Sequence, residues 1–462
     1  MATAVRLRSA WRRNTRLARL GARVGLGHAG TSARKLFAGA ERREVLSRER
    51  EMRTAQQVAA ELGNMKGALM KLGQMASYLD DGLPEPMRMA LAQLQSQAPP
   101  MSIDLVHGVI REEFGREVGD LFVEFDDEPI AAASIGQVHR AIMRCADGSE
   151  RAVAVKVQYP GVAEAIDADL RTADLLGTLL AFGFKSLNPE EMVAEIKDRL
   201  REELDYSREA DNQRLFAGFY RGHPFVHVPE VIDELSTRRV LTSELVVGST
   251  FAEVCGWSQE QRDMAGEAIF RFVFRSLYRF RAFNGDPHPG NYLFHGDGRV
   301  TFLDFGLIKH FTHDEMLMFQ SMVKAAVLDG DMAEYRCIIE DAGMLQKDAP
   351  VSTGDAGDYF AHFYEPVREP RRVEWTTEYA TSIVRHTFDR TSSIAQYATV
   401  PRSFVFIQRI NLGLYAVLGQ LGCGGNYRRI SEELWPMTSA PPSTPMGELE
   451  AAWLSGRTAA DA

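Results

Sequence analysis

Gly285-Asp286-Pro287-His288-Pro289-Gly290-Asn291 leads, thirteen positions after its Asn291, to Asp304-Phe305-Gly306. Between them, Tyr292-Leu293-Phe294, a polar His295-Gly296-Asp297-Gly298 turn and Val300-Thr301-Phe302-Leu303 read as a β-hairpin. Closing that hairpin brings Asp286, Asn291 and Asp304 to one end of a two-stranded ribbon. Hard divalent cations take oxygen ligands, and a few fixed carboxylate and amide oxygens can bridge them to phosphates, so the constellation points to Mg²⁺-nucleotide chemistry. Pro287 and Pro289 fix φ while Gly290 permits unusual angles, which stiffens the loop around a tight path.

Working upstream, Arg151-Ala-Val-Ala-Val-Lys156-Val157 reads as a strand with Lys156 on the face of Ala152 and Ala154. Only nine of the 53 basic residues are Lys, so a Lys in this apolar strand stands out. A compact ammonium can pair with both a phosphate and a carboxylate where a guanidinium fork is too large. Ahead of the strand, Ala131-Ala132-Ala133-Ser134-Ile135-Gly136 occupies the place of a phosphate-covering glycine-rich loop, with alanines where glycines are expected. Alanine disfavours positive φ and limits close backbone approach, so this loop should be stiffer and hold nucleotide differently. Downstream, Glu202-Glu203-Leu204-Asp205-Tyr206-Ser207-Arg208-Glu209 reads as an acidic helical stretch offering a partner for Lys156; the residues alone do not choose among the acids.

The wider chain sets the bounds. Its 462 residues, 45% hydrophobic and 25% charged, are those of a folded protein of about three domain-sized units or of one large elaborated domain. A net charge of −10 disfavours a general nucleic-acid-binding surface. Cys145, Cys255, Cys337 and Cys423 are widely spaced, which argues against a disulfide framework or a cysteine metal site and implies a reducing, cytoplasmic setting. Apolar runs around 268–278 and 404–421 are interrupted by Arg271, Arg275, Gln408, Arg409 and Asn411, so no transmembrane helix is expected. Residues 1–40 hold nine basic and no acidic side chains, leaving the remainder at −19. Such an arm suits peripheral contact with anionic membrane, a transit peptide or a solvated segment. Gly25-x-Gly27-x-x-Gly30 lacks the strand and βαβ context of a dinucleotide site.

The expected organisation is a basic arm (1–40), a helical extension (41–120), a mixed α/β unit (121–247), a mostly helical unit with the one hairpin (248–436) and a loosely ordered tail (437–462). Met65, Leu69, Leu72 and Met75 give the extension its helical spacing. Asp348–Gly357 reads as a surface loop.

The lysine strand, the D-x-x-x-x-N loop and the DFG in this order resemble the protein-kinase-like fold, an α+β bilobal architecture. Lys71-Leu-Gly-Gln74, Ala131-Ala-Ala-Ser134, Val153-Ala-Val-Lys156, Glu203-Leu-Asp205-Tyr206 and Asp286-Pro-His-Pro-Gly-Asn291 together are similar to the AarF/UbiB family of atypical kinases. The resemblance implies a role for each motif. Lys156 would contact the α/β-phosphates and pair with Glu209 of the αC-equivalent helix, beneath the Ala131–Ser134 loop. Asn291 and Asp304 would hold Mg²⁺, Asp286 would be the catalytic-loop acid, and Glu244 to Val246 would form the hinge for adenine. Lys71 and Gln74 would belong to an inhibitory extension, with Glu203 and Asp205 as its acidic counterpart. Two departures stand out: Asn284 replaces the family's usual His two positions before the catalytic-loop Asp, and no transmembrane helices follow.

The function implied is a Mg²⁺-dependent ATP-binding kinase or ATPase serving quinone or isoprenoid-lipid metabolism at a membrane surface, with ATP and a lipid-like or quinone-related small molecule as partners. Two alternatives stay open: a low-turnover ATP-binding regulator, favoured by the alanine loop, and a small-molecule phosphotransferase of the aminoglycoside or choline kinase type.

Overall fold

The computed structural model describes residues 101–133, 135–163, 204–285, 287–387, 392–399 and 401–457. The basic arm, residues 41–100 of the helical extension with Lys71 and Gln74, and also Ser134, Glu203 and Asp286 lie outside the described residues. The main elements in chain order are α1 (Ile103–Phe114), β1 (Glu124–Phe125), β2 (Ala131–Ala132), β3 (Gly136–Arg144), β4 (Glu150–Gln158), α2 (Tyr206–Phe219), β5 (Val226–His227) and β6 (Val240–Glu244). Then come α3 (Gln259–Phe280), β7 (Ala282–Asn284), β8 (Tyr292–Phe294), β9 (Val300–Phe302), β10 (Ile308–His310), α4 (His313–Val323), α5 (Met332–Asp341) and α6 (Thr353–Phe360). The chain continues through β11 (Val373–Glu374), α7 (Thr377–Thr387), α8 (Arg402–Leu421), β12 (Gly424–Gly425), α9 (Tyr427–Leu434) and α10 (Pro445–Ser455). This is the α+β class. Two compact units emerge, one of the chain up to Tyr206 with Leu235–Thr242, the other of Ser207–Glu234 with the chain from Ser243 onward.

The first unit is built on an antiparallel sheet ordered β1-β3-β4-β6, with β2 added to β3. Its alternation follows the sequence: Val153, Val155 and Val157 are buried, while Ala152, Ala154 and Lys156 look the other way. On α1, Val106, Val109 and Ile110 recur at helical spacing and are buried. The buried Gln137 ties the chain just ahead of α1 to the sheet, accepting from Met101 N at 2.8 Å and donating to Met101 O at 3.3 Å.

The second unit is organised around α3. Ser258 and Gln261 form a capping box at its start, and Arg281 ends it with φ 51°. Ala265, Ala268, Ile269, Phe272, Val273 and Ser276 form its buried stripe, and Phe272 stacks on Phe302 at 3.7 Å. The hairpin stands where its turn residues put it, β8 on β9, but it has company. β5 pairs parallel with β9, β7 pairs with β10, and β11 pairs with β12. These strands are two or three residues long, too short for alternation to signal them. Two further readings are corrected. The loop expected at 348–357 turns into α6 from Thr353, capped by Ser352. Within the tail expected to be loose, Thr444 caps α10, Pro445 takes its first turn and Glu450 is buried. Apolar periodicity marks α10 poorly, because the buried positions are Met446, Gly447 and the carboxylate Glu450. Among the described residues no helix is long and apolar enough to cross a membrane.

Candidate nucleotide and metal site

In the first unit, Lys156 lies opposite Val138, and Val138 lies opposite Ala131. Residues directly paired across a sheet share a face, so Lys156 and Ala131 flank Val138 on the half-buried side. The alanine loop is partly strand: Ala131 and Ala132 are in β2, and Ala133 N donates to Gly136 O at 2.9 Å, closing a tight turn. The Lys156 ammonium sits 4.9 Å from the centre of the Tyr206 ring. Asp205 lies just ahead of α2, because the Tyr206 N–H is taken by Arg238 O at 2.9 Å and the helix starts there. The stretch read as helical from Glu202 thus contributes to α2 only from Tyr206 onward.

Gly136 is needed for closeness rather than for its φ. A Cβ there would stand 2.3 Å from Val157 O and 2.8 Å from the Tyr206 hydroxyl. Gly136→Ala is therefore expected to push β3 from β4 at the root of the loop and to destabilise this unit by about 1–3 kcal/mol, read as a lowered thermal midpoint.

In the second unit, Leu303 N donates to Asn291 O at 3.0 Å, so the hairpin register sets Asn291 one residue from Asp304 across the ribbon. Asp304 Oδ1 accepts from Gly306 N at 2.9 Å. Two side-chain amides hold this backbone: Asn284 Nδ2 donates to Asp304 O at 2.6 Å, and Asn212 Nδ2 on α2 donates to Phe305 O at 2.9 Å. Phe305 is fully buried, with its ring 5.1 Å from that of Phe216 on α2. The buried Glu209 belongs to the same neighbourhood, since a Cβ on Gly306 would lie 3.9 Å from its Oε2. Asn284, flagged by its departure from the family's His, braces the loop to the DFG segment; Asn212 was not singled out, and no spacing announces it.

The flanks of Asp286 are pinned. Gly285 N donates to Leu307 O at 2.8 Å, and on α8 a Cβ at Gly413 would stand 2.4 Å from Pro287 Cγ. His288 Nδ1 accepts from Gly290 N at 3.0 Å, closing the turn before Asn291. At the segment read as a hinge, Glu244 N donates to Glu230 O at 2.8 Å and its carboxylate lies 3.4 Å from His227 Nε2. The chain past Val246 joins the hairpin through paired bonds between Ser249 and Phe294, 2.8 and 2.9 Å. The second unit thus brings Asn291, Asp304 and Glu209 together, with Glu244 and Val246 leading into the hairpin; Lys156 and the alanine loop belong to the first unit.

A magnesium ion fits this donor set. Asn291 offers an amide oxygen and Asp304 carboxylate oxygens. Mg²⁺ is characteristically held by one or two carboxylates completed by substrate phosphates.

The profile of the ABC1 atypical kinase-like domain matches residues 93–337, more than half of the chain. The chain belongs to this family. Among its relatives, the atypical kinase coq-8, mitochondrial, of Caenorhabditis elegans is 36% identical over 63% of this chain and 39% of its own length. The atypical kinase COQ8, mitochondrial, of Saccharomyces cerevisiae is 30% identical over 61% and 56%, and the mouse AarF domain-containing protein kinase 1 is 36% identical over 56% and 50%. The chain spans about half the length of the curated relatives it matches. The solved complex of Rv3197 with erythromycin from Mycobacterium tuberculosis aligns with a TM-score of 0.62 and 32% identity, over 85% of this chain and 98% of that one. The kinase-like fold read from the ordered motifs is therefore the fold of this ABC1 family member.

Proposed function

We propose that this ABC1 family member is a magnesium-dependent ATP-binding atypical kinase or ATPase that supports quinone or isoprenoid-lipid metabolism at a membrane surface. The observation that carries the reading is the juxtaposition of Asn291 and Asp304 across the β8–β9 hairpin, with Asn284 and Asn212 fixing the Asp304–Phe305 backbone. Asn291 and Asp304 hold Mg²⁺, which when bound neutralises phosphate charge. Lys156 contacts the α/β-phosphates and pairs with Glu209. The backbone from Glu244 to Val246 receives adenine, the turn after Ala131 covers the phosphates, and Asp286 orients an acceptor hydroxyl or water. Catalysis is then mostly positioning and electrostatics, as phosphoryl transfer requires. The basic arm supplies contact with anionic lipid, and Lys71, Gln74, Glu203 and Asp205 restrain access to the site.

Phosphate release from MgATP, with and without anionic liposomes carrying an isoprenoid-quinone precursor analogue, tests this. Lipid-stimulated release is the expected result. The regulator reading draws on the strand character of Ala131 and Ala132; it expects MgATP stabilisation and no release above background in any condition. Rv3197's complex with erythromycin supports including a soluble polyhydroxylated acceptor; phosphorylation of that acceptor would favour the phosphotransferase reading.

A further inference from the structure

The described chain ends in a helix that none of the motifs explains. α10 is docked by charge: Glu450, 1% exposed, accepts from Arg271 Nη1 at 2.9 Å and from Arg275 Nε and Nη2 at 3.0 and 2.8 Å, both on α3. Arg271 also meets Glu267 at 2.7 Å and Glu433 at 2.8 Å. On its other side α10 reaches the C-terminal end of α2. Helix ends leave their last carbonyls without intrahelical donors, and a cation there also complements the helix dipole. The Arg457 guanidinium supplies both, donating to Phe219 O at 2.5 Å and to Gly218 O at 3.4 Å. Trp453 Nε1 donates to Arg221 O at 3.1 Å in the turn that follows. The Arg457 guanidinium also lies 4.7 Å from the Trp453 ring. Behind them, His223 packs edge-on against Trp453 at 4.4 Å, accepts from Phe225 N and Val226 N on Nδ1, and lies 3.5 Å from Glu450 through Nε2.

α2 is also the helix that reaches the DFG segment, through Asn212, Phe216 and Glu209. We propose that α10 is a clasp for α2: Trp453 and Arg457 are positioning residues that fix the C-terminal end of the helix carrying Glu209 and Asn212, and Glu450 anchors the clasp to α3. The inference rests on the nucleotide-site reading of Glu209 and Asp304. A loosened helix end lets α2 sample orientations in which Glu209 and Asn212 leave their places, and nucleotide binding must then restore the order.

The test uses the full chain as wild type, Arg457→Ala, Arg457→Lys and Trp453→Phe. Two readouts are taken: amide hydrogen exchange over 215–222, and the MgATP concentration giving half-maximal thermal stabilisation. Arg457→Ala is expected to speed exchange in that segment while leaving α5 unchanged, and to raise the MgATP midpoint on the order of tenfold. Arg457→Lys, which keeps the charge and donors, should recover most of both, and Trp453→Phe should give a smaller effect in the same direction. A wild type that MgATP does not stabilise overturns the nucleotide reading and, with it, the clasp's effect on binding. A normal wild-type response with an unchanged midpoint in Arg457→Ala overturns the clasp alone. So does faster exchange spread evenly over α5 and α2, which would mark general loosening.

Discussion

Asp304→Asn is expected to abolish both the MgATP-dependent stabilisation and any phosphate release, while leaving the fold intact. Asparagine keeps the Oδ1 acceptor that Gly306 N uses at 2.9 Å, and the backbone O that receives Asn284 Nδ2 is untouched. What disappears is the carboxylate charge. A metal ion contributes several kcal/mol of charge stabilisation in phosphoryl transfer, and each 1.36 kcal/mol is tenfold in rate, so a loss of at least about a hundredfold follows. Wild type at a hundred times its dissociation constant gains about 2.7 kcal/mol from ligand, and the variant forfeits most of that. Unchanged release in Asp304→Asn, measured beside an unchanged thermal midpoint without ligand, would remove the metal role assigned to this residue.

The second large effect is structural. Glu450→Ala should destabilise the second unit by about 3–5 kcal/mol, because it leaves the Arg271 and Arg275 guanidiniums buried with a carboxylate missing. In a unit of this size that is roughly 6–20 °C in the thermal midpoint. Acid should do the same gradually. Burial alone would raise the Glu450 carboxyl, but bonds from His223 and Arg275 and the charges of Arg275 and Arg271 bring it well below its ordinary 4.5. The unfolded chain therefore takes up this proton first, so the stabilisation is present above about pH 4.5 and is lost as pH falls below it. His223 adds in the same direction: burial depresses its pKa from 6.5 in spite of the pull of Glu450, so it stays neutral in the fold while the unfolded chain protonates. Stability thus begins to fall as pH drops through about 6.5. Melting curves between pH 7 and pH 4 check this, and a Glu450→Gln variant as stable as wild type would refute the charge-based account.

The second-unit part of the site was legible because chemistry and backbone demands coincide there. The two prolines and Gly290 announce a stiff loop, and the His295–Gly298 turn sets the register that places Asn291 beside Asp304. The lysine strand was equally readable, since Val153, Val155 and Val157 alternate with Lys156 on a sheet buried on one face. The parts that escaped are polar groups whose value is set by position. Asn212 means little until α2 delivers it to Phe305 O. Glu450 reads as a surface acid until the two arginines of α3, 175 and 179 positions earlier in the sequence, are seen to surround it. Arg271 and Arg275 looked like interruptions of an apolar run; they are the reason that run can bury a carboxylate.

The most direct test of the central claim is a titration of the purified wild-type chain with ATP, by calorimetry or thermal shift, in Mg²⁺ and in excess EDTA. Saturable binding that depends on Mg²⁺ and is lost in Asp304→Asn is the expected result. Equal affinity with and without Mg²⁺, or no binding in either, would contradict the assignment of Asn291 and Asp304 as the metal-holding pair of a nucleotide site.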